Sequence, residues 1–243
     1  GDQFKMELYH HGIKGQKWGV RRYQNKDGSL TELGKARYSK PVDANNMPRK
    51  QWLKLVDSGR DFVVSKGQEA YRSTTTEYEI EAGKKYVSFR AADIGVYEQF
   101  AENNGSAYNV VYSTKNNMRV AGMRTQAELL QEIYGKELRT DDRWKKYVQK
   151  GWVKVEEITK PIPKMTDEEF STYMYYNPYG HDKDILNKPI TNKETKNYID
   201  KLAKKGYDAA VDMLDRSIAY SDGPMIILNS KDVLERKSHS RAD

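Results

Sequence analysis

The segment 10–31 interleaves basic and aromatic side chains with glycines. It shows neither the alternation of a strand nor the spacing of an amphipathic helix, so we expect no independent secondary structure there. Cations and flat rings on a pliable backbone suit docking onto an anionic or protein surface. The residues expected to make such contacts are Lys14, Lys17, Trp18, Arg21, Arg22 and Tyr23.

Few other residues suggest a disulfide, a metal site or a phosphate-binding loop. Cysteine is absent, which excludes disulfides and cysteine-based zinc sites. His10, His11 and Asp27 could bind a metal, but adjacent histidines on a pliable segment without further ligands rarely do, so we expect no metal. Gly12–Gly15 is too short for a phosphate-binding glycine loop and does not lie between a strand and a helix.

The composition indicates a folded, polar protein. The 243 residues carry 42 Lys and Arg against 35 Asp and Glu, for a net charge of +7, and include 18 tyrosines. This aromatic content argues against disorder and predicts a core rich in tyrosine. The positive charge fits either simple solubility or a polyanionic partner such as DNA. No apolar run is long enough to span a bilayer, so we expect no membrane partner.

The elements that must position any site begin after an arm and linker at 1–50 and occupy a domain at 51–243. The patterns predict strands over Asp61–Ser65, Glu69–Thr76, Lys85–Phe89, Ala107–Thr114, Met118–Ala121, Ala209–Asp212 and Met225–Leu228. They predict helices over Ala91–Glu102, Thr125–Tyr134, Asp141–Lys150, Thr166–Tyr176 and Thr191–Lys205. We expect Lys237–Asp243 to fray. This order predicts an α+β domain around a mixed or antiparallel sheet, with a helical insertion at about 124–190.

A resemblance to known proteins begins in the basic arm. The run HHGIKGQKWGVRRYQ and its continuation to Thr31 closely resemble a segment of virion and minor head proteins from tailed phages and prophages of Gram-positive bacteria. The resemblance implies a virion-associated protein, found in the virion or in the host bacterial cytoplasm. Its implied partners are head or portal proteins, or packaged DNA, contacted through the arm.

A second resemblance covers blocks of the domain, which are similar to the ADP-ribosyltransferase fold of phage polyvalent and head-fusion proteins. Ala70–Thr74 (AYRST) stands where that family has a Tyr-(His/Arg)-Gly-Thr strand. Tyr86–Phe89 and Tyr97–Ala101 match the strand and the helix that follow. Tyr108–Met118 resembles the next strand. The last family blocks are matched in order by Gly206–Asp212 and Pro224–Asn229.

The second resemblance implies an NAD site. Cleaving the bond between nicotinamide and ribose develops positive charge on the sugar, so the site needs a nearby carboxylate, a cation for the pyrophosphate and a ring beside nicotinamide. The family's usual Gln/Glu-x-Glu motif is not present here, and a loop with Asp215 and Asp222 stands in its place. By resemblance, Tyr71, Arg72 and Tyr97 bind NAD, and the catalytic residues are Arg72, Ser88, Asp215 and Asp222.

Two functions of different classes stay open. The first is a phage-encoded, virion-associated enzyme that transfers ADP-ribose from NAD to a macromolecular target. The second is a catalytically inactive structural or interaction protein of the phage head that docks through its N-terminal arm. The candidate residues also have ordinary alternatives, because an arginine on a strand is more often ion-paired and a tyrosine at helical spacing more often packs in a core.

Overall fold

The structure is a computed structural model, and it describes a large part of the predicted domain. The described residues are 25, 29–31, 34, 40–80, 82–105, 107–134, 142–152, 154, 160–176, 192–213, 215–216 and 220–242. The predicted contact residues Lys14, Lys17, Trp18, Arg21, Arg22 and Tyr23 lie outside them, as do His10, His11 and Asp27.

Eight strands and seven helices occur within the described residues. The strands are β1 Phe62–Val64, β2 Glu69–Thr74, β3 Lys85–Ser88, β4 Tyr108–Thr114, β5 Met118–Ala121, β6 Ala209–Val211, β7 Pro224–Ile227 and β8 Leu234–Arg241. The helices are α1 Arg49–Asp57, α2 Ile94–Glu102, α3 Met123–Tyr134, α4 Asp142–Gln149, α5 Asp167–Tyr176, α6 Asn192–Lys204 and α7 Ser230–Val233. Short 3₁₀ turns precede α2 at Ala91–Asp93 and α5 at Ile162–Lys164.

The strands form one open sheet in the order β1-β5-β6-β7-β3-β2-β4-β8. Among these strands the pair β5–β6 is parallel, and all other neighbours are antiparallel. A parallel pair needs a long crossover, and the chain supplies it with α3, α4, α5 and α6 between β5 and β6. The prediction of an α+β domain with a mixed sheet is confirmed.

One face of the sheet, here the first face, carries the larger core. Strand side chains such as Ala70, Val87 and Tyr112 pack there with Trp52 of α1 and Phe170 of α5. Trp52 and Phe170 are fully buried. Burial of several aromatic rings contributes much of the stability of such a core.

The opposite face, here the second face, is covered by two separate groups of helices. Leu129 of α3 and Leu202 of α6 pack with Ala210 and Ile226 over β6 and β7. Helix α2 packs on β2 and β4. Strand β3 therefore lies between these two helical groups.

Two elements differ from the prediction. Helix α1 was not predicted, because its nine residues are mostly polar and only Trp52 and Val56, one turn apart, are buried. The prediction that Lys237–Asp243 frays is wrong, since β8 pairs along β4 as far as Arg241. An edge strand held by backbone hydrogen bonds needs no apolar alternation, so its sequence carries no strand pattern.

Other local expectations agree with the structure. Thr166 and Glu169 form a capping box, in which the Glu169 N–H donates to Thr166 Oγ1 at 3.2 Å and the Thr166 N–H donates to Glu169 Oε2 at 2.7 Å. Part of the predicted linker contacts the domain, because Val42 pairs with Val64 and Ala44 is fully buried. No described helix is long and apolar enough to cross a membrane.

Arg124 of α3 ties the helical insertion to the rest of the domain. Its guanidinium donates to the carbonyl oxygens of Ser58 (2.8 Å), Ile162 (3.0 Å), Met165 (2.7 Å) and Thr166 (3.1 Å). It also lies 4.6 Å from the centroid of the Phe170 ring. When such a buried cation is removed, several buried carbonyl oxygens lose their hydrogen-bond donors, and the protein loses stability.

We predict that Arg124→Ala lowers the free energy of unfolding by about 3 kcal/mol or more, because buried carbonyls lose their donors. Urea unfolding of the purified protein measures this. Arg60→Ala is the matched control, since Arg60 also pairs with Asp167, at 2.7 Å, from an exposed position, and such pairs contribute under about 1 kcal/mol. Equal losses of unfolding free energy in the two variants would show that the buried contacts of Arg124 contribute no more than an exposed ion pair.

Candidate functional site

Three of the predicted site residues, Tyr71, Arg72 and Ser88, lie on the adjacent strands β2 and β3. Tyr71 of β2 lies opposite Ser88 of β3, and Ser88 lies opposite Pro224, the first residue of β7. Opposite residues in antiparallel strands project to the same face, so Tyr71 and Ser88 share the second face. Arg72, the next residue along β2, projects to the first face.

A buried carboxylate, Asp93, connects β3 with the chain that enters β7. Asp93 is 5% exposed. Its Oδ2 accepts hydrogen bonds from Ser88 Oγ at 2.5 Å and from the Gly223 N–H at 2.9 Å, and its Oδ1 accepts one from the Asp222 N–H at 2.9 Å. Three donors on one buried carboxylate fix the relative positions of Ser88 and Asp222.

Asp93 was missed by sequence reasoning. It directly precedes the helical residues of α2, where an aspartate is ordinarily interpreted as a helix N-cap. In the structure its side chain makes no capping hydrogen bond. Gly223 also belongs to this contact, because a Cβ there would lie 2.7 Å from Arg90 Cγ and 3.2 Å from Ser88 Oγ.

Asp222 forms a bidentate ion pair with Arg49 of α1. Arg49 Nε and Nη2 donate to the Asp222 carboxylate at 2.6 and 2.9 Å, and Trp52 Nε1 donates to the Asp222 carbonyl at 2.7 Å. The Asp222 side chain is buried, whereas that of Arg49 is 67% exposed. The charge of Asp222 is therefore compensated and both of its oxygens are occupied.

The same segment is held to the other end of α1. Arg216 Nε and Nη2 donate to Asp57 at 2.9 and 3.0 Å. Helix α1 thus holds the segment 212–223 through Arg49 near one end and Asp57 at the other. Positions 214 and 217–219 of this segment lie outside the described residues.

Asp215 meets Tyr97 on the second-face side of this segment. Burial raises the pKa of Asp215 and the charge of Asp93 raises it further, while a hydrogen bond with Tyr97 opposes the shift. Burial also raises the pKa of Tyr97, as do the charges of Asp215 and Asp93. No cation among the described residues pairs with Asp215. It is therefore a half-buried carboxylate that has no counter-charge among the described residues.

Ser221 lies at the same place. Its hydroxyl is close enough to Tyr97 to lower that pKa, although its buried Oγ meets no described partner at full hydrogen-bond geometry. A buried hydroxyl without a well-aligned partner is uncommon. The structure thus brings together four of the predicted residues, namely Ser88, Tyr97, Asp215 and Asp222.

Arg72 does not join them. Its Nε pairs with Glu79, and its Nη1 donates to the Tyr86 carbonyl at 2.9 Å. Glu79 also accepts hydrogen bonds from Lys85, at 3.2 Å, and from the Tyr112 hydroxyl. Burial tends to raise the pKa of Glu79, but Tyr112, Arg72 and Lys85 lower it overall. Arg72 is therefore engaged in an ion pair within the sheet, as expected for an arginine that does not bind a ligand.

Tyr71 remains on the second face beside Ser88. Its hydroxyl donates to Glu69 Oε2 at 2.5 Å, and burial, followed by that hydrogen bond and charge, raises the pKa of Tyr71 to about 12. Glu69 also borders a polar cavity of about 300 Å³, lined by Asp43, Asn45, Asn46 and residues 65–69. Neither Ser88 nor Asp215 lines that cavity, so we place the candidate site elsewhere.

We name the group Tyr71, Ser88, Tyr97, Asp215 and Ser221 the β3 site, because β3 lies between the two helical groups of the second face. Tyr86, on the same face of β3, is 46% exposed. The site combines hydroxyl groups, an aromatic ring and a carboxylate that no described cation pairs with. Such a set can stabilise positive charge that develops on a bound ligand.

Comparisons with known proteins do not assign the chain. No protein-family model matches the sequence, and no curated protein or solved structure matches it. Within the described residues, no group of three or more histidine, aspartate or glutamate side chains could hold a metal ion. Function must therefore be argued from the geometry of the site.

We predict that Asp215→Asn stabilises the protein at neutral pH. A carboxyl whose pKa is raised on folding binds its proton more tightly when folded, so its ionisation costs stability as pH rises above the ordinary value of 3.8. Asparagine removes that cost, and we expect a gain of up to about 1 kcal/mol at pH 7 that shrinks towards pH 4.

Urea unfolding at the two pH values measures the difference. Asp200→Asn, on an exposed position of α6, is the control and should change little at either pH. A loss of stability in Asp215→Asn at pH 7 would show that the carboxylate is paired with a cation after all.

Proposed function

We propose that the domain is ADP-ribosyltransferase-like, binding NAD at the β3 site and transferring ADP-ribose to a macromolecular target. The observation that carries this proposal is the convergence of Ser88, Tyr97 and the uncompensated Asp215 at the junction of β3 and β7. Strands β2, β3 and β7, which hold or follow the motifs of the resemblance, are neighbours in the sheet. This adjacency supports the proposal, because residues distant in sequence must meet to form such a site.

Asp215 is the better candidate for the essential carboxylate. A carboxylate stabilises an oxocarbenium-like ribose only if its negative charge is available. The charge of Asp222 is compensated by Arg49, whereas Asp215 contacts Tyr97 and has no described cation. Asp222 then serves to hold the segment that presents Asp215.

The reaction follows from this assignment. The bond between ribose C1′ and the nicotinamide nitrogen breaks, and its electron pair leaves with neutral nicotinamide. Asp215 stabilises the positive charge left on the ribose, and the nucleophile of the target attacks C1′ and loses its proton. Arg49 offers an exposed guanidinium beside Asp222 and takes the phosphate-binding role that the resemblance gives to Arg72.

We predict that Asp215→Asn lowers nicotinamide release from NAD by about 100-fold or more, because a preorganised electrostatic stabiliser is lost. Binding of NAD, measured by calorimetric titration, should change little, since the substitution leaves the site's shape intact. Asp200→Asn is the control for removal of one carboxylate. No NAD binding at millimolar concentration, or unchanged release in Asp215→Asn, would refute the proposal.

A second function is favoured by a different observation. Arg72 and Asp222, two of the predicted catalytic residues, are both engaged in ion pairs that stabilise the fold. This favours a domain that has lost the chemistry and serves as a structural or interaction component of a phage head. The N-terminal arm, with its cations and aromatic rings, would then be the contact with head or portal proteins or packaged DNA.

For this second function, we predict that deleting residues 1–38 prevents incorporation into particles while the domain still folds. The deletion removes Lys14–Tyr23 but retains Val42 and Ala44, which contact the sheet. Sedimentation of purified particles and the unfolding midpoint of the free protein are the two measurements. Normal incorporation of the shortened protein would exclude the arm as the docking element.

A further inference from the structure

The two edges of the sheet are built differently. Strand β1, at one edge, has three residues, all buried, and Val42 pairs beside it with Val64. Strand β8, at the other edge, has eight residues, of which Leu234 alone is buried. Natural proteins usually shorten or cover sheet edges because their free backbone groups can pair with another chain.

The backbone of β8 offers such groups to solvent. The Ala242 N–H donates to the Ala107 carbonyl at 3.0 Å, towards β4. Because backbone direction alternates along a strand, Ser240 and Ser238 also point towards β4. His239 and Arg241 therefore point their N–H and C=O groups away from the sheet, where no described strand lies.

The side chains of β8 add an excess of positive charge. The strand carries Arg236, Lys237 and Arg241 against Glu235, which pairs with Lys237 at 3.0 Å. The register places Arg236 opposite Tyr112 and Arg241 opposite Tyr108, on the first face of the sheet. His239 lies between them and contacts the Tyr108 ring, with centroids 5.6 Å apart. This side of the edge thus carries the exposed guanidinium of Arg241 next to His239.

We propose that β8 is a docking edge for an acidic peptide in an extended conformation. The peptide would extend the sheet through main-chain hydrogen bonds to His239 and Arg241, and its acidic side chains would lie beside Arg241. Main-chain pairing supplies affinity in such complexes, and the side chains supply specificity. This interaction is independent of any NAD chemistry at the β3 site.

Charge favours this occupant over a second copy of the chain. Pairing of two β8 strands would bring together two edges that each carry an excess of cations, and like charges across strands are destabilising. The same cations attract an acidic strand. The composition of β8 thus acts against self-association and in favour of an acidic partner.

The probe is a fluorescent eight-residue peptide alternating Glu and Thr, with a Lys and Thr peptide as its counterpart. Anisotropy titration with the full chain should show salt-sensitive binding of the acidic peptide and none of the basic one. His239→Pro removes an outward N–H but spares the ladder to β4, and should weaken binding by about tenfold or more. Arg241→Glu should also weaken it.

Lys204→Ala, on an exposed position of α6, removes one positive charge away from β8 and should leave binding unchanged. Unfolding midpoints establish whether each variant is folded. If His239→Pro does not fold, binding of the acidic peptide by Arg241→Glu tests the proposal. The proposal is overturned if the acidic peptide does not bind, or if both β8 variants bind it as the parent does. A dimer in sedimentation that Arg241→Glu disrupts would instead assign the edge to a second copy.

Discussion

The carboxylate of Asp93 holds together the parts from which the β3 site is built. It accepts hydrogen bonds from Ser88 of β3 and from the two N–H groups that precede β7. Since it is itself part of the turn leading into α2, it also fixes the helix that carries Tyr97. A buried ionised group is costly unless it is fully satisfied, and here its donors come from segments far apart in the chain. Asp215, Tyr97 and Ser88 can meet only because these segments are held in register.

Ion pairing then decides which charged groups remain available. Arg72 is engaged by Glu79 and Asp222 by Arg49, and in each pair a buried carboxylate lies beside its cationic partner. Asp215 has no such partner in the part of the chain that the structure describes, and burial shifts its pKa upward. A buried carboxylate with a raised pKa reduces stability at neutral pH. Such residues are characteristic of functional sites, because stability alone does not favour them.

Much of the secondary structure could be predicted because it depends on local patterns. Strands such as β4 and β7 alternate or concentrate apolar residues, and α5 begins at a capping box formed by Thr166 and Glu169. Helix α1 and strand β8 could not be predicted, because both are polar and are stabilised by contacts made elsewhere in the chain. Helix α1 depends on burial of Trp52 against the sheet, and β8 on the ladder to β4.

The sequence by itself determined the class of fold, the order of its main elements and most of the candidate site residues, although Asp93 and Ser221 were not among them. Only the tertiary structure decided which of them meet. Alternation along β2 sends Tyr71 to the face of Ser88 and Arg72 to the other, and one residue of register would reverse this. The same packing pairs Asp222 with Arg49, whereas no described cation pairs with Asp215. Charge pairing of this kind depends on distances between segments that no local pattern encodes.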